Sequence, residues 1–308
     1  MKILHVEKST PLAQLQDGGR FGVRHLGVTQ GGALDWEAQA WANWLLGNRL
    51  DAAVLEIPLG GVTLRAHADV RLALAGADLA AEIDGQPLAP WQAFELRSGQ
   101  RLAFIQPRSG ARAYLAAPGG FLGEAVLGSC ATVVREGLGG LDGQGKPLMA
   151  GDELCAAGGT PPQRHMQARQ QPCYDGPAEL ELVLGAQAGD FAGQSLFEAF
   201  DATWTLDQRA DRMGMRLLGP ALQYLGRPMI SEGIPLGAVQ VPPDGQPIVL
   251  LNDRQTIGGY PRLGALSPRA LARLAQCLPG AELRLRPSVQ PAALAAHRRL
   301  LAQWRQVD

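Results

Sequence analysis

Between Val54 and Leu115 the sequence repeats one unit, a short apolar run followed by Gly, Pro, Asp or Asn. The runs VLEIPL, VTLRA, VRLALA, AAEIDG, AFELRSG, RLAFIQ and ARAYLAA succeed one another in this way. Turn signals at intervals of roughly 8 to 12 residues are the rhythm of a sandwich or barrel, and they leave no space for the helices of about 10–15 residues that separate the strands of a parallel sheet. With 39 glycines and 22 prolines among 308 residues, the turn chemistry needed to join many short strands is plentiful. The chain therefore reads as mainly β with a few helices, and its length admits two domains, each with its own core.

Apolar periodicity fades in AAGGTPPQRHMQARQQPCYDGP, residues 156–177. This predicts an N-terminal β domain over 1–157 with one inserted helix, a linker over 158–177, and a C-terminal β domain over 178–308 ending in a helix. The inserted helix is WEAQAWANWLLGN, with Asp35 as its N-cap and Gly47-Asn48 at its end. Trp36, Ala40, Trp44 and Leu45 would share its core-facing side. Ser267-Pro268 is an N-cap followed by an N1 proline and opens another helix, and AALAAHRRLLAQWRQ closes the chain as an amphipathic one. Asp84-Gly85-Gln86-Pro87 recurs as Asp244-Gly245-Gln246-Pro247, which reads as hairpin chemistry used twice.

Several functions are disfavoured at this level. A formal charge of -1 gives no field that would collect nucleic acid or an anionic membrane. No stretch approaches the roughly 18 apolar residues of a membrane span, and the first residues lack a signal-peptide core, so a cytoplasmic location is expected. Cys130, Cys155, Cys173 and Cys277 form no CxxC pair, consistent with a reducing compartment. The histidines at 5, 25, 67, 165 and 297 show no metal-ligand spacing, so no metal is expected. There is no GxSxG elbow. Gly140 to Lys146 matches the start of a phosphate-binding loop, but Pro147 stands where Ser or Thr would meet magnesium, so the stretch reads as a hairpin loop. Lys2, Lys8 and Lys146 are the only lysines, and none lies in an Ala-Met-Lys-Met setting, so this chain carries no biotin of its own.

The densest chemistry lies in Ile230 to Pro261, ISEGIPLGAVQVPPDGQPIVLLNDRQTIGGYP. Two apolar strands, a Pro-Pro-Asp-Gly turn, the polar run Asn252 to Thr256 and a Gly-Gly-Tyr-Pro loop fall within it. A second candidate loop, Gln16 to Gly22, crowds three glycines around Asp17 and Arg20.

The loop QDGGRFGVRHLG, the run GGALDWEAQAWANWLLGN, the phrase LEIPLGGVTL, the tetrad DRMG and above all the 230–261 stretch resemble the biotin-dependent carboxyltransferase family, also called allophanate hydrolase subunit 2. The nearest branch is that of the 5-oxoprolinase C subunits. The resemblance implies two cyclophilin-like β-barrel domains and a heteromeric complex with two further 5-oxoprolinase subunits: B, which resembles allophanate hydrolase subunit 1, and A, which is separate. It implies ATP-dependent opening of 5-oxoproline to glutamate, with ATP and magnesium used at the level of the complex. Two other branches stay open: a carboxyltransferase acting on urea or a related amide through carboxybiotin, and a regulatory binder of the kinase-inhibitor antagonist type. Relatives commonly have Ser where this chain has Gly31, and Ser or a similar polar residue where it has Ala210.

For lactam opening, the site needs a cation for the substrate carboxylate, donors for the lactam oxygen and acidic groups for proton transfer. Arg212 suits the first by its planar fork. Asp253 and Glu232 suit the last. Gln240, the backbone of Gly258 and Gly259, and Tyr260 are expected to contact substrate, and Asp17 and Arg20 to complete the pocket from the other domain.

Overall fold

The computed structural model describes residues 2–305, and it is mainly β with four α-helices among the described residues. It divides into two units. One comprises Met1–Val23 and Gln30–Asp175, the other Arg24–Thr29 and Gly176–Asp308.

In the first unit the short apolar runs become two sheets. One has six strands in the order Glu153–Cys155, Lys2–Lys8, Val62–Ala66, Arg101–Phe104, Glu82–Ile83, Gln86–Pro87. The other has five, in the order Gln14–Gln16, Val54–Pro58, Ser109–Ala116, Val70–Asp78, Gln92–Leu96. The barrel expected of this unit is thus realised as two sheets that enclose one core, to which Leu4, Val6, Leu64 and Leu102 contribute from the first and Leu55, Ile57, Leu72 and Leu115 from the second. Val62–Ala66 alternates buried and half-buried residues, as a strand with one covered face must. Val54–Pro58 is buried throughout.

Helix α1, Trp36–Leu45, packs on Val70–Asp78 and Ser109–Ala116 and covers the outer face of the five-stranded sheet. Asp35 caps it by accepting from the Ala38 N–H at 2.9 Å. The helix is buried from Glu37 to Leu45, whereas Trp36 is only half-buried, so the single apolar face read from the sequence is too narrow. Its polar positions are internal because Gln39 and Asn43 donate to the Ala52 carbonyl at 3.2 and 2.8 Å. They satisfy a loop carbonyl that the helix itself shields from water. The first DGQP turn is a two-residue hairpin: Asp84 and Gly85 have φ of 48° and 81°, and Ile83 pairs with Gln86.

The second unit is a closed barrel in the order Ala178–Leu184, Arg262–Leu266, Ala238–Gln240, Ile248–Leu250, Gly214–Leu218, Trp204–Leu206, Glu282–Ser288. Ala178–Leu184 closes the ring by pairing in parallel with Glu282–Ser288. Closure removes the open edges that short strands would otherwise leave unpaired. Three helices belong to this unit: α2, Gly193–Asp201; α3, Pro268–Ala275, capped by Ser267; and α4, Gln290–Arg305, which buries Leu300 and Trp304 and packs on Ala178–Leu184. Gln306, the last residue of the expected terminal helix, lies outside the described residues. The segment Arg24–Thr29 is held in this unit by Arg24, whose Nη2 donates to the carbonyls of Ile234, Gln255 and Thr256 at 2.9, 3.2 and 3.2 Å. No helix among the described residues is long and apolar enough to cross a membrane.

Candidate functional site

Within the second unit, the 230–261 stretch leaves the barrel to form a two-stranded ribbon, Glu232–Gly233 against Ile257–Gly258, in which Glu232 faces Gly258. The Glu232 carboxylate is 39% exposed and anchored on one oxygen: Oε1 accepts from Arg262 Nη2 at 2.5 Å and from Gln187 Nε2 at 2.9 Å. Arg262 also donates to the Gly233 carbonyl at 3.3 Å, which ties its guanidinium to the ribbon. Glu232 borders an open cleft of about 660 Å³ whose walls include Asp190, Tyr224, Arg227, Met229 and Ser231. The Tyr224 hydroxyl donates to Asp190 at 3.5 Å, and its pKa is raised, first by desolvation and then by the Asp190 charge. It remains a neutral donor at physiological pH.

Behind the ribbon lies Gln240, the last residue of its barrel strand and 3% exposed. Its Nε2 is buried and has no hydrogen-bond partner among the described residues. The amide lies 3.0 Å from where a Cβ on Gly258 would stand, and Ile234 Cδ1 lies 2.6 Å from the same point. Glycine at 258 is therefore what lets the ribbon approach this amide. A buried donor without an acceptor is destabilising, so the Gln240 amide is a polar group of this unit that a ligand could satisfy.

Arg212 and Asp253 are brought together. The Arg212 fork donates through Nε and Nη2 to the two Asp253 oxygens at 3.0 and 3.1 Å, with both side chains largely buried. Asp211 does not take part, as it accepts from the Met213 and Gly214 N–H groups. Next to this pair is a cation that sequence reasoning did not select. Arg254 is 2% exposed and donates to the carbonyls of Ile234 and Leu251 at 3.2 and 3.1 Å. Burial, and secondarily the charge of Arg24, pulls its pKa down to about 9. Arg24 reaches the same Ile234 carbonyl, so two guanidinium groups converge there. The signal in the sequence was an arginine three residues after the apolar run IVLL, whereas Arg24 gave none, its partners being more than 200 residues away. Tyr260 is 48% exposed, and Gly259 lies beside Ser231.

Asp17 and Arg20 belong to the first unit, where both side chains hold the glycine-rich loop. Arg20, 1% exposed, donates to the carbonyls of Val126, Ser129 and Ala131. Asp17 accepts from the N–H groups of Gly19 and Cys130 and from the Ser129 hydroxyl. Gly31 has a φ of 67°, and a Cβ there would meet Val133, Arg20 and Ala131 at 3.0–3.2 Å. Both backbone and space thus favour glycine at this point.

Gly140 to Lys146 closes on itself. Lys146 donates to Asp142 at 2.6 Å, Asp142 accepts from the Gln144 N–H at 3.0 Å, and no helix begins before the strand Glu153–Cys155. A phosphate cradle needs its lysine free and a helix N-terminus behind the loop, and neither is present here.

The family described as carboxyltransferase domain, subdomain A and B, matches residues 26–287. The 5-oxoprolinase C subunit of Haemophilus influenzae is 35% identical over 284 residues, covering 91% of this chain and 90% of its own. Its namesake in Escherichia coli is 36% identical over 275 residues, covering 89% and 87%. Among solved structures, TTHA0988 is 36% identical with a TM-score of 0.82 over 93% of this chain, which spans 55% of its length. The Kluyveromyces lactis urea amidolyase has a TM-score of 0.93 over 100% of this chain at 21% identity, a likeness of fold, and the chain spans 20% of that protein.

Proposed function

Because the chain belongs to the carboxyltransferase family of subdomains A and B, we propose that it serves as the C subunit of an ATP-dependent 5-oxoprolinase, opening 5-oxoproline to glutamate together with the A and B subunits of that complex. The likeness to two proteins of that name runs nearly end to end in both partners. The structural observation that carries the reading is the buried, unpartnered amide of Gln240 behind Gly258.

A lactam is a poor electrophile, and its opening toward glutamate is uphill. The reaction therefore requires a donor directed at the carbonyl oxygen, where negative charge develops, and ATP supplies the driving force. In this proposal Gln240 is that donor. Glu232, fixed on one oxygen by Arg262 and open to the cleft on its other side, handles the proton. Arg212 and Asp253 act as a preorganised pair, and a substrate carboxylate would engage the Arg212 fork by taking the place of Asp253 on it. Gly258 and Gly259 bring backbone close to the substrate, and Tyr260 supplies an aromatic wall. Asp17 and Arg20 contribute by fixing the shape of their own loop. The stretch Gly140 to Lys146 does not fit a nucleotide, so ATP with magnesium is assigned to the complex rather than to that loop.

Reconstitution with candidate A and B subunits tests this directly. ATP hydrolysis dependent on 5-oxoproline should appear only when this chain is present, and full turnover without it would sink the proposal. A second reading, carboxyl transfer to urea through carboxybiotin on a separate carrier, is favoured by the fold shared with urea amidolyase. It predicts carboxylation of urea by the chain with a biotin carrier and carboxylase, and no response to 5-oxoproline.

A further inference from the structure

The five histidines show no ligand spacing in the sequence, yet the fold of the first unit brings two of them together with a carboxylate. His5 Nδ1 lies 2.9 Å from Glu153 Oε1, and His67 Nε2 lies 2.7 Å from Glu153 Oε2. The two imidazole rings are 5.9 Å apart. One ligand atom from each of the three residues can be chosen so that all lie within 4.8 Å of one another.

The arrangement rests on backbone geometry rather than on long side chains meeting by chance. Glu153 is directly opposite His5 in the antiparallel pairing of Glu153–Cys155 with Lys2–Lys8. On the other side of that central strand, His67 directly follows Val62–Ala66. Its N–H donates to the Ile3 carbonyl at 2.9 Å, while its own carbonyl accepts from the Ser98 hydroxyl at 3.0 Å. Two adjacent strands and the residue just after a third therefore each supply one donor, and sites anchored on strands hold their geometry better than sites built on loops.

We propose that His5, His67 and Glu153 form a binding site for a divalent transition metal of the zinc type. Two imidazole nitrogens and one carboxylate oxygen are a ligand set that such ions prefer, with solvent completing the shell. Bonds of about 2.0–2.1 Å at tetrahedral angles put neighbouring ligand atoms about 3.3 Å apart, so the three chosen atoms, now within 4.8 Å of one another, must draw together by side-chain rotation as the ion binds. The shared protons of the present contacts are what the metal replaces. Side-chain exposures of 33%, 41% and 30% give the ion a path from solvent. Binding would staple the strand Glu153–Cys155, at the margin of its sheet, to its two neighbours. Lys2, whose charge reaches Glu153, is the opposing group and is exposed on the same strand as His5.

The test uses the full chain without a histidine tag, stripped with a chelator and titrated with Co2+ and then with Zn2+ in competition. One equivalent of Co2+ should produce the visible absorption of a low-coordinate site and be displaced by Zn2+. His67→Ala and Glu153→Gln should each weaken binding by at least about tenfold. His25→Ala, which removes an exposed histidine of the second unit, should leave binding unchanged. Zn2+ should also raise the melting temperature of the native chain and not that of His67→Ala. No saturable binding up to millimolar metal, or binding unaltered in both variants, overturns the assignment.

Discussion

Arg212 and Asp253 are locked to each other by two parallel side-chain hydrogen bonds, and the Asp253 N–H donates to the Arg212 carbonyl at 2.9 Å. Each therefore fixes the other's backbone as well as its charge. Two groups nominated separately from the sequence, one as carboxylate binder and one as acid or base, form a single element. Loss of activity on removing either alone cannot distinguish a chemical role from an uncompensated buried charge.

Arg212→Ala or Asp253→Ala should each destabilise the chain by about 3–5 kcal/mol, because an unpaired, largely buried charge remains. The double variant Arg212→Met/Asp253→Leu should recover much of that loss, as read from urea unfolding midpoints. If the double variant is as stable as the native chain but inactive in the reconstituted complex, the pair has a role beyond folding. Restored activity would remove both residues from the chemistry.

Gln240→Leu separates stability from function in the opposite direction. Removing a buried amide donor that has no partner should leave stability unchanged or raise it by up to about 1 kcal/mol, while 5-oxoproline turnover falls. Native turnover in this variant would rule out the amide as the donor to substrate.

Gly258→Ala places a methyl group against Ile234 and the Gln240 amide, with gaps of 2.6 and 3.0 Å. Overpacking of this kind costs about 1–3 kcal/mol, and here it also displaces the amide. Gly233→Ala, on the partner strand of the same ribbon, meets nothing within 4 Å and should be nearly silent. Equal effects from the two substitutions, in thermal melts and turnover, would contradict this geometry.

The thiols should react very unevenly. Burial, then the charge and hydrogen bond of Asp17, pushes the Cys130 pKa up from 9.0 to about 12, so at pH 8 it stays a thiol in the folded chain. Cys173 is exposed. A disulfide reagent at pH 8 should modify Cys173 promptly and Cys130 only on unfolding. Between about pH 9 and 12 the unfolded chain releases this proton before the folded one does, so the Cys130 contribution to stability is full below that window and is lost as pH rises through it. Rapid labelling of native Cys130, followed by mass spectrometry, would contradict this.

Local chemistry was the part of the fold open to reading. Strands announced by apolar runs between turn residues, the caps at Asp35 and Ser267, and the two-residue turn at Asp84-Gly85 all follow from interactions within a few positions. What depended on distant partners stayed hidden. The burial of Gln39 and Asn43 in α1 depends on a carbonyl at Ala52 and on a sheet at the helix's back. In the site, the 230–261 stretch identified Glu232, Asp253 and Gly258 as neighbours along the chain. It did not show that Arg212 would meet Asp253 rather than Asp211, or that Arg254 would be one of the most deeply buried cations. His5, His67 and Glu153 are separated by 62 and 86 residues, so their meeting is a property of strand order alone.

The placement of Arg24–Thr29 in the second unit fixes an order of events during synthesis. Arg24 leaves the ribosome early, yet its carbonyl partners at Ile234, Gln255 and Thr256 follow 210, 231 and 232 residues later. The barrel cannot acquire its final contacts until most of the chain has been translated. A fragment starting at Gly176 would be born without one of its own parts.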